Sequence, residues 1–299
     1  PYTVNWWDVP GRDEKWKEST IANTSELQFE QEFGNSFLGT GNTLINANTL
    51  LGLQGHDALW TKENVYLYQE PRKNNQYIMT VDVARGRGQD YSTFSIFDVT
   101  EKPFKQVGIY RNNLISPLLF PDVIARYAKM YNEAIVIVEN NDQGQIVCNN
   151  LHYDLEYPNV FMESSVKSTG IGVTMTRKVK QIGCSTLKEL MEENKLRVID
   201  KFTISELVTF VAKGQSYEAD GGNHDDLVMN LVLFAWFITT PYFQSLTDLE
   251  LKKMLYDEQQ QLIEDDMVPF GIIDDGNRGP DVYKEGGDVW TVVDDVQVY

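Results

Sequence analysis

The sequence is poor in cysteine and histidine, which excludes several classes of site. Its 299 residues include two cysteines and three histidines, namely Cys148, Cys184, His56, His152 and His224. The cysteine spacing matches no zinc motif and provides no disulfide framework, which is typical of a reducing compartment. Three histidines leave little room for a histidine-rich metal site, and neither a GxSxG nucleophile elbow nor an HExxH zinc motif is present.

Long apolar runs and a targeting segment are also missing. The longest apolar run, residues 231–238, is far shorter than the roughly 20 residues that a transmembrane helix needs. The N-terminus has no signal-peptide pattern, so we expect an intracellular protein without a membrane partner. The chain begins at Pro1 without Met, and residues 1–42 have the character of an internal segment, so we expect a fragment of a longer polypeptide.

Positive charge is scarce, but the deficit is concentrated near the C-terminus. The formal net charge is −18. Residues 77–215 hold 16 basic and 16 acidic residues, whereas residues 246–299 hold 4 basic and 14 acidic residues. Because phosphate binding depends on Lys and Arg, the acidic end disfavours a nucleic-acid partner and the neutral middle does not. The basic residues of the middle segment are either a phosphate-binding lip or ordinary surface charge: Arg85, Arg87, Lys102, Lys105, Arg111, Lys167, Arg177, Lys178 and Lys180.

Residues 77–112 predict three consecutive strands with short turns, and therefore an antiparallel meander. Their sequences are YIMTVDV, STFSIFDV and FKQVGIYRN. A helix is predicted over residues 119–132, where apolar side chains recur on one face. The next segment is AIVIVEN, a continuous apolar run that predicts a central buried strand. This order of elements indicates a mixed α/β fold.

The other elements complete that fold. A helix is predicted at DQGQIVCNNL, a fifth strand at NVFME, and a long apolar closing helix at HDDLVMNLVLFAWFI. Before the closing helix lies an insertion with helices near residues 177–193 and 204–212 and a short strand at LRVID. Residues 43–76 show little periodicity and predict an irregular lead-in. Two short helices, near residues 13–20 and 25–33, precede a hinge at FLGTGNT, and a further helix is predicted at SLTDLELKKMLYDEQQQLI.

Acidic residues stand at three positions that are hard to explain structurally. Asp82 lies within the first strand, Glu139 ends the apolar strand, and Asp225 with Asp226 opens the closing helix. The strands that carry Asp82 and Glu139 are predicted neighbours, and the closing helix can place its N-terminus against them. Buried carboxylates are costly, and like charges raise one another's pKa. Two hard divalent cations resolve that conflict, and such a pair activates a water and stabilises the leaving oxygen at a phosphodiester.

Taken singly, each acid also has an ordinary structural explanation. Asp82 fits an edge strand that faces solvent, and Glu139 fits a carboxylate near a helix N-terminus. Asp225 fits a first helical turn, as do its neighbours. The coincidence of all three in one ordered topology favours a shared site. The segment GRGQD lacks the lysine of a GxxxxGK[ST] loop and leads into a strand, which disfavours a phosphate-binding P-loop.

Four separated stretches resemble the large terminase subunits of T-even-type tailed bacteriophages, in the order found in that family. They are IANTSELQFEQEFGNSFLG, TVDVARGRGQDYSTF, VENNDQG and GNHDDLVMN. The strand order and the Asp, Glu, Asp set also resemble ribonuclease H and integrase-like nucleases. The resemblance implies a DNA-packaging motor and headful nuclease in the cytoplasm of an infected bacterium, transiently on the procapsid. The implied partners are double-stranded DNA, the portal and the small terminase subunit.

The resemblance also implies a division of the chain. Residues 1–42 would be the end of a preceding ATPase domain with its hinge, residues 43–245 a nuclease domain, and residues 246–299 an acidic helix and tail. The nuclease domain would have a ribonuclease H/integrase-like mixed sheet of about five core strands flanked by helices, with an insertion before the last helix. ATP would bind only in the preceding domain, outside this chain. Cleavage is therefore expected of this chain, and packaging is not.

Roles for single residues follow from the same resemblance. Asp82, Glu139 and Asp225 would be the catalytic and metal-binding set for two Mg²⁺ or Mn²⁺ ions. The D-x-L spacing favours Asp225 over Asp226, although either aspartate would serve as a ligand. The residues expected beside the site are Asp90 and His224. The side chains expected to contact DNA phosphates without reading bases are Arg85, Arg87, Lys167, Arg177, Lys178 and Lys180.

Two rival functions stay open at this point. In one, the module mainly grips DNA and transmits motion for an ATP-driven translocase, and cleavage is secondary. In the other, the same fold resolves four-way DNA junctions. Metal-dependent nicking of a plasmid separates the nuclease from the gripping module, and a strong preference for junctions over linear duplex identifies the resolving enzyme.

Overall fold

The computed structural model describes residues 4–23, 29, 33, 42–164, 169–246, 282–285 and 288–291. The chain divides into two compact units, Pro1–Phe243 and Gln244–Tyr299. Three predicted elements lie wholly or largely outside the described residues: the second N-terminal helix, the FLGTGNT hinge and the helix expected after residue 245.

The larger unit is built on a mixed sheet that has seven strands in the described part of the chain. The strands of this unit are β1 (Trp60–Lys62), β2 (Val65–Leu67), β3 (Tyr77–Asp82), β4 (Ser92–Asp98), β5 (Phe104–Asn112), β6 (Ile135–Val138), β7 (Met162–Ser164), β8 (Thr169–Ile171), β9 (Leu196–Arg197), β10 (Phe210–Lys213) and β11 (Ser216–Ala219). The main sheet has the order β1-β2-β5-β4-β3-β6, and β9 pairs with β5 outside that path. Strands β3, β4 and β5 are antiparallel neighbours, so the predicted meander is confirmed.

Helices cover both faces of the sheet and form a hydrophobic core on each. The helices are α1 (Glu14–Asn23), α2 (Ala47–Gly52), α3 (Phe120–Met130), α4 (Gly144–Asn149), α5 (Arg177–Glu192), α6 (Lys201–Thr209) and α7 (Asp226–Phe237). Apolar residues of α5, α6 and α7 pack on one face, and those of α3 and α4 pack on the other. The mixed sheet flanked by helices is the predicted fold class.

Helix α7 is the central element of one core because it is apolar on almost every side. Its Phe234 ring stacks on Phe97 of β4 with 4.1 Å between centroids. Gly183 of α5 allows a close approach on the opposite side, since a Cβ atom there would lie 2.4 Å from the carbonyl oxygen of Val232. The Thr80 hydroxyl of β3 donates to the backbone oxygen of Asn230 at 3.0 Å. These contacts fix α7 between the sheet and α5.

Two strand predictions in this region are confirmed in part. AIVIV forms β6, which is buried but lies at the end of the sheet path and not at its centre. β3 is the only named strand that pairs with β6 in the described residues. Other backbone segments contact it through isolated bridges, such as the one between Val136 and Val160. NVFME lies beside β6 as predicted, but only through an isolated parallel bridge between Val160 and Val136, where the Val136 N–H donates to the Asn159 oxygen and the Phe161 N–H to the Val136 oxygen at 2.8 Å each. The strand that follows, β7, pairs with β8 in a separate two-stranded hairpin.

Two regions contain strands that the sequence did not predict. Residues 43–76 contain α2, β1 and β2, and β2 joins the main sheet by pairing with β5. Its side chains at Val65 and Leu67 are buried. The helix predicted over residues 204–212 ends at Thr209, and β10 and β11 follow as an antiparallel hairpin. These strands have three or four residues each, so their alternation is too short to identify from sequence.

The smaller unit has one antiparallel hairpin in its described residues, formed by β12 (Val282–Glu285) and β13 (Asp288–Thr291). Every described helix is too short or too polar to cross a bilayer.

Candidate metal and catalytic site

Asp82 and Glu139 lie beside each other at the carboxyl ends of two parallel strands. Strands β3 and β6 pair with Val81 opposite Val138, and the Glu139 N–H donates to the Val81 oxygen at 2.9 Å. Each acid therefore follows the last residue that β3 and β6 pair with each other. Because side chains alternate between faces, Asp82 shares a face with Ile78, which belongs to the core around α7. The parallel register puts Glu139 on that face as well.

The start of α7 brings Asp225 and Asp226 to the same place. Thr93 pairs with Asp82 across β4 and β3, and its hydroxyl donates to the backbone oxygen of Asp226 at 3.2 Å. The Asp226 carboxylate accepts a hydrogen bond from the Tyr91 N–H at 3.2 Å. The Asp225 carboxylate accepts one from the Ala219 N–H at 3.3 Å. The helix start is thus anchored to the strand next to Asp82.

Burial and mutual repulsion raise the pKa values of these acids. Burial raises the pKa of Asp82 well above its usual range, and the charges of Glu139, Asp226 and Asp225 raise it further. Burial raises the pKa of Glu139 to about 7; nearby Lys180 opposes this shift and Asp225 adds to it. Asp225 therefore acts on both strand-borne acids. A group of carboxylates that is this costly to ionise needs compensating positive charge.

Asp226 has a different set of neighbours. Burial raises its pKa to about 6, and the charges of Asp225 and Asp90 add to the shift. The Tyr91 N–H and His224 act in the opposite direction. The His224 Nδ1 atom lies 3.7 Å from the Asp226 carboxylate. Asp90 and His224, both expected beside the site, thus lie close enough to influence Asp226.

The donor chemistry fits hard divalent cations, which prefer carboxylate oxygens. As the side chains stand, however, no three acidic, histidine or cysteine side chains among the described residues converge on a point where one ion would be ligated. Ionised carboxylates repel one another, so a cation between them would be needed to hold them closer together. The backbone brings the acids together, and ion binding would require side-chain rotation.

A polar cleft of about 410 Å³ opens over the site. The charged residues that line it are Asp82, Arg85, Arg87, Asp90, Asp142, Asp225 and Asp226. Arg85 is not free for a ligand, because its Nη2 and Nε atoms lie 2.7 and 2.8 Å from the Asp142 carboxylate. Arg177 and Lys178 are exposed at the start of α5, one turn before the partly buried Lys180. Lys167 lies outside the described residues.

A close backbone contact supports the turn after β6. The Gly144 N–H donates to the Asn141 oxygen at 2.9 Å, and α4 begins there. A Cβ atom on Gly144 would lie only 1.8 Å from the carbonyl oxygen of Glu139. Only glycine allows the helix to start so near that backbone. The glycine in VENNDQG thus has a steric reason to follow the acid at this spacing.

Sequence reasoning missed Glu206 and Tyr91 behind the acids, and it considered Arg111 only as part of a phosphate-binding lip or as surface charge. Glu206 of α6 is buried and accepts hydrogen bonds from the first turn of α7. Arg111 of β5 lies 3.7 Å from Glu206 and 3.5 Å above the ring centroid of Tyr91. The available signal was a glutamate among the apolar residues of ISELVTF, but it did not indicate a partner.

Comparison with known families identifies the region that contains these residues. The family model described as the terminase RNaseH-like domain matches residues 79–234. The matched region begins within β3 and ends within α7, so it includes all four carboxylates.

Curated relatives are similar over a longer stretch. The chain is 28% identical over 236 residues to a protein named "Terminase, large subunit" from Thermus virus P23-45, and 27% identical to one of the same name from Thermus phage G20c. Each match covers 76% of this chain and 44% of the relative. The matched chain thus spans less than half the length of these relatives.

Solved structures share the fold. The magnesium-bound large terminase nuclease from thermophilic phage G20c matches with a TM-score of 0.53 and 22% identity, over 66% of this chain and 97% of that one. A cobalt-bound structure of the same nuclease matches equally well. The large terminase nuclease domain of Thermus phage P74-26 matches with a TM-score of 0.51 and 23% identity, over 64% of this chain and 93% of that one.

Proposed function

Because the chain belongs to the terminase RNaseH-like domain family, we propose that it is a divalent-metal endonuclease that cuts double-stranded DNA during viral genome packaging. The observation that carries the proposal is the group of four interacting carboxylates of Asp82, Glu139, Asp225 and Asp226. The metal-bound terminase nucleases with the same fold give it further support.

Two Mg²⁺ or Mn²⁺ ions would be held by these acids. Asp82 would be shared, since it interacts with the other three carboxylates. Glu139 and Asp225 would each help to hold one ion. Asp226, which lines the same cleft, would be available as a further ligand. Bound cations supply the Lewis acidity that activates a water and stabilises the leaving 3′ oxygen of a phosphodiester.

DNA would lie across the cleft and be held through its phosphates. Arg87 lines the cleft, and Arg85 would have to exchange Asp142 for a phosphate. Arg177 and Lys178 extend the basic surface along the start of α5. Contacts of this kind position a duplex and carry no sequence information, so little sequence preference is expected. Binding should weaken steeply as salt concentration rises.

The whole-protein role is part of the proposal. The full polypeptide would package DNA with an ATPase domain that precedes this chain and would cut at the headful stage. Its partners would be the portal, the procapsid and the small terminase subunit, in the cytoplasm of the infected bacterium. Residues 1–42 are proposed as the end of that ATPase domain with its hinge, residues 43–245 as the nuclease domain, and residues 246–299 as an acidic helix and tail.

One observation favours a second candidate, a module that grips DNA and cuts only secondarily. Among the described residues no three ligating side chains converge on one point. A gripping module needs the basic surface and does not need the metal site. The two candidates differ in what the isolated chain does to DNA when divalent metal is added.

The experiment that separates them is plasmid cleavage by the 299-residue chain. With MgCl₂ or MnCl₂ we expect supercoiled plasmid to become nicked and linear, and EDTA to prevent it. Asp82→Asn and Glu139→Gln should leave the plasmid intact. The matched control is Glu101→Gln, an exposed acid at the opposite end of the sheet, which should cut like the wild type. Supercoiled plasmid that survives metal and wild-type protein would identify the gripping module.

A four-way junction offered together with linear duplex tests the remaining rival. Strong preference for the junction would identify a resolving enzyme on the same fold. Comparable cleavage of both substrates is expected of a nuclease that contacts only phosphates.

A further inference from the structure

Helix α7 is capped by a residue from another element. Glu206 of α6, only 6% exposed, accepts hydrogen bonds through Oε2 from the Leu227 N–H at 2.7 Å and the Val228 N–H at 3.2 Å. Because both N–H groups lie in the first turn, the helix itself offers them no acceptor. The side chain of an aspartate at the N-cap position ordinarily accepts such hydrogen bonds. Asp225 occupies that position, yet its side chain makes no capping bond to any described residue.

The external cap changes what the two aspartates can do. Free N–H groups at a helix start attract carboxylates, so an uncapped α7 would draw the Asp225 side chain back onto its own first turn. Because Glu206 satisfies those groups, Asp225 and Asp226 both line the cleft. The cap therefore makes two adjacent carboxylates available at one helix terminus.

Arg111 links this cap to the second support of Asp226. Its Nε atom lies 3.7 Å from Glu206 Oε1, and its guanidinium lies 3.5 Å above the ring centroid of Tyr91. Tyr91 in turn donates its N–H to the Asp226 carboxylate at 3.2 Å. Neither Arg111 Nε nor Glu206 Oε1 has a hydrogen-bond partner within the described residues. Charge and stacking hold this pair behind the cleft.

We propose that Glu206, with the support of Arg111, is a positioning residue that holds the start of α7 so that Asp225 and Asp226 present their carboxylates to divalent cations. Glu206 acts through the helix backbone and not by contact with the reacting groups. The inference rests on the proposed metal-dependent cleavage, and it assigns a role to a pair of residues that lies outside the acidic group itself.

The test measures Mn²⁺ binding and DNA cleavage by the full 299-residue chain. Glu206→Ala should weaken Mn²⁺ binding in calorimetry by roughly tenfold, the scale on which groups that orient metal ligands act. The MnCl₂ concentration for half-maximal plasmid cleavage should rise by the same factor, with a smaller change in rate at saturating MnCl₂. Glu206→Gln keeps an acceptor oxygen for the two N–H groups and should restore most of the binding.

The matched control is Asp200→Ala, which likewise removes a buried capping carboxylate. Asp200 is a second buried carboxylate that caps a helix, in this case α6. Its Oδ2 atom accepts hydrogen bonds from the Thr203 N–H and hydroxyl at 2.6 Å each. This variant should lower the melting temperature and leave the Mn²⁺ half-saturation point unchanged. Equal weakening of Mn²⁺ binding by Asp200→Ala and Glu206→Ala would overturn the inference, because the effect would then be one of helix stability.

The remaining outcomes separate this inference from the proposed function. Wild-type protein that neither binds Mn²⁺ nor cuts DNA overturns both. Wild-type protein that does both, with a Glu206→Ala variant that binds Mn²⁺ equally well, overturns only the positioning role. Should Glu206→Ala fail to fold, Arg111→Met carries the test: weaker Mn²⁺ binding supports the inference, and wild-type binding overturns it.

Discussion

Among single residues, Asp82 has the most unfavourable surroundings for a negative charge. It ends an otherwise buried strand, and the charges of Glu139, Asp225 and Asp226 all raise its pKa. Without cations, the ionised form of Asp82 therefore lowers the stability of the fold. The same property would favour a cation at this position, since a bound cation would relieve the repulsion.

We expect Asp82→Asn to stabilise the metal-free protein. At pH 8 in EDTA the variant should melt a few degrees higher, because about 1 kcal/mol corresponds to roughly 2–4 °C in a domain of this size. Asp98→Asn is the control. Asp98 is a buried acid at the other end of the sheet that accepts a bond from Asn75 at 2.7 Å. Loss of that contact should lower the melting temperature, and an Asp82→Asn variant that melts below the wild type would contradict the repulsion argument.

Arg85 provides a second test at this scale. Its ion pair with Asp142 joins two exposed side chains, so the pair contributes little to stability. Asp142→Asn should release Arg85 for phosphate and tighten duplex binding in EDTA by about twofold to fivefold, the factor for an exposed ion pair of up to about 1 kcal/mol. Fluorescence anisotropy with a labelled duplex measures it. The gain should disappear in the double variant with Arg85→Ala; a gain that persists there would exclude Arg85 as its cause.

At the scale of elements, the site depends on how closely α7 packs against α5 and the sheet. The acids at the start of α7 are in place because Gly183 lets the two helix backbones approach and because Thr80 and Thr93 tie α7 to β3 and β4. A displacement of α7 therefore moves Asp225 and Asp226 away from the strand-borne acids. Helix packing and metal affinity should change together.

Gly183→Ala should displace α7. The new Cβ atom would lie 2.4 Å from the Val232 oxygen, a backbone atom that cannot move without the helix. We expect a loss of about 1–3 kcal/mol in the free energy of unfolding, as for other overpacked cores, together with weaker Mn²⁺ binding. Gly52→Ala is the control, since nothing lies within 4 Å of its added Cβ atom. Urea unfolding of both variants measures the difference, and equal stability would contradict the close approach.

Elements with long, regular patterns could be predicted from the sequence. The strands β3, β4 and β5 and the apolar helix α7 follow directly from their periodicity and composition. The position of β6 at the sheet end could not, because an apolar run shows that a strand is buried and not which strands flank it. The hairpin of β10 and β11 was missed because its strands have only four residues each.

The candidate site shows the same limit. The nearness of Asp82 and Glu139 could be predicted, because strand order alone makes their strands neighbours. The D-x-L spacing did not separate the roles of Asp225 and Asp226. These roles depend on different backbone contacts, since the Ala219 N–H donates to Asp225 and the Tyr91 N–H donates to Asp226. The role of Glu206 depends on a tertiary contact with the start of another helix, and no local pattern predicts such a contact.

For the molecule as a whole, the charge distribution makes stability depend on pH and metal together. Burial raises the pKa of Glu139 to about 7, of Asp226 to about 6 and of Glu206 to about 8. A carboxyl group with a raised pKa in the fold stabilises the folded state at low pH, and that contribution is lost as pH rises through the raised value. These groups therefore destabilise the metal-free protein increasingly between about pH 5 and pH 8.

We expect the melting temperature in EDTA to fall from pH 5 to pH 8, and MgCl₂ to reverse part of that fall at pH 8, where the ligands are ionised. At pH 5 the same MgCl₂ should have little effect, because protons compete for the ligand oxygens. Glu139→Gln should flatten the EDTA profile, which distinguishes the site from the general effect of the net charge of −18. Equal melting temperatures at pH 8 with and without MgCl₂ would contradict the proposed cation site.

The parallel pairing of β3 with β6 has a consequence for how the chain folds. The meander of β3, β4 and β5 joins neighbours in sequence, whereas β6 reaches β3 only after the chain has passed through α3. Contacts between distant parts of a chain form late, since their loop entropy has to be offset by structure already present. We therefore expect a nascent polypeptide to complete most of its sheet before the first two acids meet, so that an unfinished molecule lacks the proposed cleavage site.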